Sequence, residues 1–391
     1  MKEVARMSYQ QRKQLMAELG ADKLWSFSAV NLYHTSKYVY FLRYLEHVDP
    51  DMPPNVYGIL GNLIHETIEK FYHNECLYGE MVENFENFWQ MDVELLDIKF
   101  NRTDNEKNDK LKAKYHTSLT HFFNNHKPIG YPVRTEQQII AQVDDEFFLG
   151  YIDFMFIDNE GNVNIVDWKT STVYSKKDML EKGKQLLLYA LAVHQMKGIP
   201  YSKIKCAWNF LKYTNVTITQ LNGKEKVSRI ERCQIGEKLA SYVKKWMNKL
   251  GYEEADITSA LVEMAATNSI DALPGEVKSK FSFDDCYVYI DVNEDVISML
   301  INDLSETVKE IREKTAEYKE TLNDKLFWDD DESLKAQSYY YINICDYSAD
   351  KIAPLADYLH RQDVNKNTGL TDVVETKSFS ATDNWLNDLF G

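Results

Sequence analysis

The sequence predicts an α/β protein in which a central mixed sheet is flanked by helices, with large helical additions at both ends. Three observations carry this. At His126-Lys-Pro-Ile-Gly-Tyr-Pro132 the apolar spacing changes from helical to strand-like. Strand-patterned runs at Arg134–Val143, Phe147–Ile157 and Val163–Lys169 then follow one another closely enough for a meander. A strongly helical stretch, Lys176–Lys197, ends at Gly198-Ile-Pro200 and leads to further strands at Lys203–Tyr213, Val216–Gln220 and around Lys226–Arg232.

Before the sheet, residues 8–19 read as a short helix that Ser8 can cap. Ala29–Glu46 is an aromatic-rich helix with Leu32, Val39, Leu42 and Leu45 at helical spacing. Asp49-Pro-Asp-Met-Pro-Pro54 breaks the chain. The next helix, about Tyr57 to Cys76, buries Leu60, Ile64, Ile68 and Phe71 and sets His65, Glu66 and Glu69 beside that stripe. Residues 80–99 and 107–125 are expected to be helical on either side of an exposed loop. After the sheet, helices are expected at 234–250, 252–267, 293–323 and 350–361, with a short strand at Tyr287–Val292 and an exposed basic loop at Pro274–Lys280. Four regions result: helical 1–130 with the histidine motif, an α/β core at 131–232, a mostly helical 233–361 and an acidic tail at 362–391.

A chain of 391 residues is long enough for two average domains or one domain with large insertions. Its net charge of −16 means that any contact with phosphate relies on local positive charge or on bound cations. Cys76, Cys206, Cys233, Cys286 and Cys345 include no CxxC pair and read as free thiols in a reducing compartment. No apolar run approaches membrane-spanning length, and the N-terminus lacks a signal-peptide core. A cytoplasmic location follows, the host cytoplasm if the protein is viral.

The chemistry concentrates at Gly150-Tyr-Ile-Asp153 and Val163-Asn-Ile-Val-Asp167-Trp-Lys169. With the strand period of two, Asp153 shares a face with Tyr151 and Met155, and Asp167 with Ile165 and Lys169. The turn-rich Asp158–Asn162 between them can fold the two strands together. Two carboxylates and a lysine would then meet, a set suited to a hard divalent cation and to phosphodiester hydrolysis. The second strand is apolar on both faces, so a carboxylate and a lysine within it need partners or a task. Gln185 and Tyr189 follow at a spacing that puts them on one helix face, and Glu136 lies on the preceding strand.

This ordered set resembles the PD-(D/E)XK nuclease superfamily and, within it, the RecB-like exonuclease branch. The resembling motifs span residues 25–190: Ser26–Tyr33 and Phe41–Leu45, Gly61 to His65, Gly150 to Asp153, Asp167-Trp-Lys169, and Gln185 to Tyr189. Ile152 stands where the superfamily's name has proline. The resemblance implies a restriction-endonuclease-like core and assigns Asp153, Asp167 and Lys169 as catalytic. It makes His65, Asp153, Asp167 and the Trp168 backbone carbonyl ligands of Mg²⁺ or Mn²⁺. Lys169 would orient and help activate the attacking water or stabilise the phosphorane. Gln185 and Tyr189 would contact the DNA backbone or brace Lys169. For Glu136 an ion pair with Lys169 or Arg134 stands beside a role at the metal site.

Many RecB-like nucleases also hold an iron–sulphur cluster with one cysteine in the opening helix and three near the C-terminus. Here the opening position reads His34-Thr35-Ser36, and Tyr341–Tyr347 keeps only Cys345, so no iron–sulphur cluster is expected. Tyrosine packing around 339–347 would serve in its place.

The implied activity is a metal-dependent DNA nuclease, an exonuclease of recombination, repair or phage and defence DNA processing, using a metal-activated water. Two rivals share the fold: a structure-specific or restriction-type endonuclease, and a non-catalytic nucleic-acid-binding or assembly protein. The substrate would be single-stranded DNA or a duplex end. Since no Walker-type phosphate-binding loop occurs, a helicase would be a separate partner. A helicase or single-strand-binding protein could dock on the tail segment Trp385–Phe390. No membrane contact is expected.

Overall fold

The computed structural model describes residues 7–368. Helix α1 (Tyr9–Leu19) starts at a capping box made by Ser8 and Gln11 and ends at left-handed Gly20. A two-residue strand, β1 (Leu24–Trp25), which the sequence reading missed, precedes α2 (Phe27–Thr35). The expected single helix 29–46 is in fact α2, the short α3 (Lys37–Tyr40) and a π-turn at Phe41–Leu45. Ser36, with extended backbone, divides α2 from α3: it caps the latter while its own N–H completes the former. Asn55 caps α4 (Val56–Tyr72), whose Leu60, Ile64 and Ile68 are buried. Next come α5 (Tyr78–Phe88), a π-turn at Trp89–Glu94, and α6 (Asn105–Asn125), capped by Asp104.

The meander then forms as expected: β2 (Val133–Val143), β3 (Glu146–Ile157) and β4 (Val163–Lys169). Every residue of β4 is buried, as its apolar sequence requires of a central strand. The stretch read as one helix bends between α7 (Met179–Lys182) and α8 (Lys184–Lys197). At the bend, Gly183 leaves room for the chain, since a Cβ there would lie 2.8 Å from the Met179 carbonyl oxygen. The two strands expected over 203–220 are one long strand, β5 (Ile204–Thr219), whose pairing with β7 shifts register between Asn209 and Thr214. A bulge of this kind redirects a strand without ending it. β6 (Glu225–Glu231) returns antiparallel along its outer half.

Helices α9 (Ile235–Leu250) and α10 (Glu254–Thr267) cover that outer half, burying Val243, Met247 and Ile257 with Val216 and Ile218 in a second, smaller core. The expected basic loop forms the short α11 (Gly275–Lys278). β7 (Phe281–Ile290) begins well before the expected Tyr287. Beyond it lie α12 (Glu294–Thr321), α13 (Asp331–Ala336), a π-turn at Tyr340–Ile344 and α14 (Ala353–Thr368). The expected docking segment Trp385–Phe390 lies outside the described residues.

All strands among the described residues belong to one seven-stranded mixed sheet. β3 pairs antiparallel with β2 and β4 and parallel with β1; β5 pairs parallel with β4 and antiparallel with β6 and β7. One face is closed by aromatic packing of Trp168 and Phe154 against Phe122, Tyr72 and His126. Fully burying such a side chain contributes about 1.5–3 kcal/mol, so this layer fixes β4 firmly. A buried ion network beneath it joins Asp285 of β7 to His126 at 2.7 Å and to Arg232 at 2.8 Å.

The C-terminal segment is clasped onto the N-terminal helices. Asp329 accepts from the Ser36 hydroxyl and from the Lys37 backbone N–H, capping α3 from a distance in sequence. Arg43 pairs with Asp346 at 2.5 Å, and the Asp346 carbonyl accepts from the Asp51 and Met52 N–H groups. Tyr341 and Tyr347 donate to Asp329 and to the Val48 carbonyl. Cys345 is buried here as a free thiol, and burial pushes it up to about 11.

Candidate active site

Asp153, Asp167 and Lys169 stand at one point because of strand register. Phe154 pairs with Val166, and one further step in that register sets Asp153 opposite Asp167 on the same face. Lys169 follows two residues later on that face, its Nζ 3.0 Å from Asp167 Oδ2. The approach is an ion pair at an angle too poor for hydrogen bonding, so the buried Oδ2 has no hydrogen-bond partner. Such a buried oxygen at the edge of a cavity is suited to a cation.

α4 supplies His65 from above. Its Nε2 lies 3.0 Å from the Trp168 carbonyl oxygen, and its Nδ1 lies 3.7 Å from Asp153 Oδ2. Only a ring carrying its proton on Nε2 can donate to that carbonyl, which leaves the Nδ1 lone pair facing the carboxylates. Ligand atoms of His65, Asp153 and Asp167 all lie within 4.8 Å of one another.

Electrostatics agree with a cation site. Burial raises the Asp153 carboxyl well above its ordinary value, and the Asp167 carboxylate adds to the rise. Two carboxyl groups this close do not both ionise readily without a positive charge between them. Burial also lowers the His65 pKa, with Asp167 opposing, so the ring is kept neutral as a metal ligand must be. For Lys169, burial acts to lower the pKa, but the Asp167 carboxylate opposes it and holds the ammonium charged.

The set opens into a cavity of about 570 Å³. Asn31 and Leu32 of α2, Asn62 and Glu66 of α4, and Arg43, Tyr340 and Asp346 of the clasp form its walls. Gln185 reaches this cavity, and its side-chain amide donates to the Tyr189 hydroxyl at 2.8 Å. Tyr189 itself is only 4% exposed, packed under β3 where Gly150 has no side chain. A Cβ at Gly150 would come within 3.2 Å of the Tyr189 ring and of Ile139, which explains glycine at this position.

Glu136 faces the cavity from β2 with a φ of +46°, between residues that pair normally with β3. A left-handed glutamate inside a strand stores roughly 1–3 kcal/mol of strain, and such positions gather at functional sites. Tyr174 also lines the cavity and escaped the sequence reading, because an aromatic residue in a loop carries no spacing signal. Lys182 also reaches the cavity. Lys110, Lys112, Lys114, Lys184 and Lys278 are engaged in ion pairs within the chain. No helix among the described residues is long and apolar enough to cross a membrane.

A sequence model described as the PD-(D/E)XK nuclease superfamily matches residues 24–286, more than half of the chain. The match contains all of the residues assembled above from His65 to Tyr189. No curated protein matches the chain.

Proposed function

The chain belongs to the PD-(D/E)XK nuclease superfamily, whose nucleases use divalent metals, and from that premise we propose a Mg²⁺- or Mn²⁺-dependent deoxyribonuclease. The observation that carries the proposal is the buried Asp167, paired with Lys169 on its own strand and facing Asp153 across the next. When bound, the cation supplies Lewis-acid charge at the phosphate and lowers the pKa of water. Asp153, Asp167 and Nδ1 of His65 would hold it, and the Trp168 carbonyl would serve as ligand or as the acceptor that orients the ring. Lys169, kept charged, would orient the attacking water and offset the negative charge that grows on the phosphoryl oxygens. Gln185 would face the strand being cut, while Tyr189 supports Gln185 from below. Glu136 would act from the cavity wall on the same carboxylates.

The order of motifs favours a RecB-like exonuclease serving recombination, repair or phage and defence DNA processing, on single strands or duplex ends. A non-catalytic binding or assembly protein would have no need of all three of Asp153, Asp167 and Lys169. An endonuclease of the same fold is the second outcome of the test. Purified protein is incubated with linear and closed-circular DNA, single- and double-stranded, with Mg²⁺, Mn²⁺ or EDTA. Metal-dependent loss of linear DNA with circles spared is expected. Cutting of circles replaces the exonuclease by an endonuclease, and no cleavage with either metal removes the enzyme.

A further inference from the structure

Tyr174 lies in the loop that follows β4, outside the motifs that carry the family resemblance. Its ring is 7% exposed and is held edge-on by two others, 4.9 Å from Trp208 and 5.1 Å from Phe210. Those rings are not arbitrary neighbours. In the parallel pairing of β4 with β5, Trp208 is in register with Asp167 and Phe210 with Lys169. Side chains in register share a face, so the Tyr174 ring stands beside the two rungs that carry the carboxylate and the ammonium. It lines the same cavity as Asp153, Asp167 and Lys169.

Edge-to-face contacts with two buried rings leave the phenol little rotational freedom, so it is delivered to the site in one place. A phenol hydroxyl both accepts and donates, whereas an ammonium only donates. From the cavity wall it shares with Lys169, the oxygen can accept from the ammonium, while Asp167 holds the same charge in an ion pair.

Resting on the nuclease reading above, we propose that Tyr174 is a positioning residue: its hydroxyl fixes the Lys169 ammonium at the reacting phosphate, and so acts on turnover and not on binding. An ammonium on a four-carbon stem otherwise has several rotamers. Holding it between Asp167 and Tyr174 gives one direction before substrate arrives.

Tyr174→Phe keeps the ring packing and removes only the hydroxyl. In the full chain with Mn²⁺ and a single-stranded oligonucleotide, kcat is expected to fall about tenfold to a hundredfold, with KM unchanged. Melting temperature and Mn²⁺ affinity by calorimetry are expected to stay at the wild-type values. The side-chain ¹⁵N signal of Lys169, identified by its loss in Lys169→Ala, is expected to move in Tyr174→Phe and to stay in place in Tyr131→Phe. Unchanged kcat overturns the proposal. So does a fall in kcat accompanied by weaker Mn²⁺ binding or a lower melting temperature, which marks a structural role. A fall in kcat with the Lys169 signal unmoved overturns it as well, since the phenol would then act on substrate directly. If the wild-type chain cuts nothing, the nuclease reading fails by itself. The Lys169 signal then decides whether the Tyr174 contact exists.

Discussion

The Nε2 of His65 lies 3.0 Å from the Trp168 carbonyl oxygen, so α4 is pinned to the centre of the sheet by a ring whose other nitrogen faces Asp153. One side chain thereby couples helix docking to the state of the site. The hydrogen bond fixes the tautomer, and the tautomer leaves Nδ1 free to bind a cation.

Replacing His65 with alanine is therefore expected to weaken Mn²⁺ binding by about tenfold or more while leaving the far-UV circular dichroism unchanged. Isothermal titration with Mn²⁺ measures it without any assay of cleavage. An unchanged dissociation constant would take His65 out of the ligand set.

Gly150→Ala places a methyl group against Ile139 and Tyr189, each 3.2 Å away. Overpacking of this kind costs about 1–3 kcal/mol. A lower urea midpoint is expected, together with reduced activity as Tyr189 and Gln185 move. Pairing the change with Tyr189→Leu, which removes the obstructing ring edge, is expected to return part of the lost stability. A neutral Gly150→Ala would show that the ring yields freely.

Glu136 carries its left-handed backbone at the cavity wall. Glu136→Gly relieves that strain and is expected to raise stability by up to about 1 kcal/mol, read as a higher melting temperature, while lowering cleavage. A variant that is both less stable and fully active would contradict the link between strain and site.

Asp285 sets the response to acid. Burial would raise its pKa, but His126 and Arg232 prevail and hold it below the ordinary 3.8. A carboxylate depressed in the folded state stabilises fully above its unfolded value, and that contribution is lost as pH falls through the folded one. Stability should thus hold at neutral pH and decline below about pH 4. Asp285→Asn leaves Arg232 buried without its partner and is expected to cost about 3–5 kcal/mol at pH 7 and to flatten the acid limb. Denaturant unfolding of both proteins from pH 3 to 7 gives the comparison.

Much of this site was legible in the sequence, for a physical reason. The strand period and the turn at Asp158–Asn162 determine that Asp153 and Asp167 share a face, and Lys169 must follow them. Helix spacing likewise places Gln185 and Tyr189 on one face, where the first donates to the second. What escaped was set by tertiary contact. The two-residue β1 is too short to show a period and exists because Leu24 and Trp25 add to β3. The bend at Gly183 answers to backbone crowding, not to hydropathy. The positive φ of Glu136 shows only in the folded backbone, and the lodging of Tyr174 between Trp208 and Phe210 depends on partners far away in the chain. The clasp of Asp329 and Asp346 on Ser36 and Arg43 joins residues whose separation in sequence hides any pattern.

The central claim is that Asp153, Asp167 and Lys169 form a phosphodiester-cleaving site, and Lys169→Ala tests it most directly. Cleavage of a labelled linear DNA in Mn²⁺ is measured for wild type and variant, with melting temperature and DNA affinity recorded on the same samples. Loss of about a hundredfold or more in kcat, with the variant still folded at the assay temperature and its DNA affinity unchanged, is the expected result. Wild-type cleavage by the Lys169→Ala protein would contradict the account and place the chemistry elsewhere.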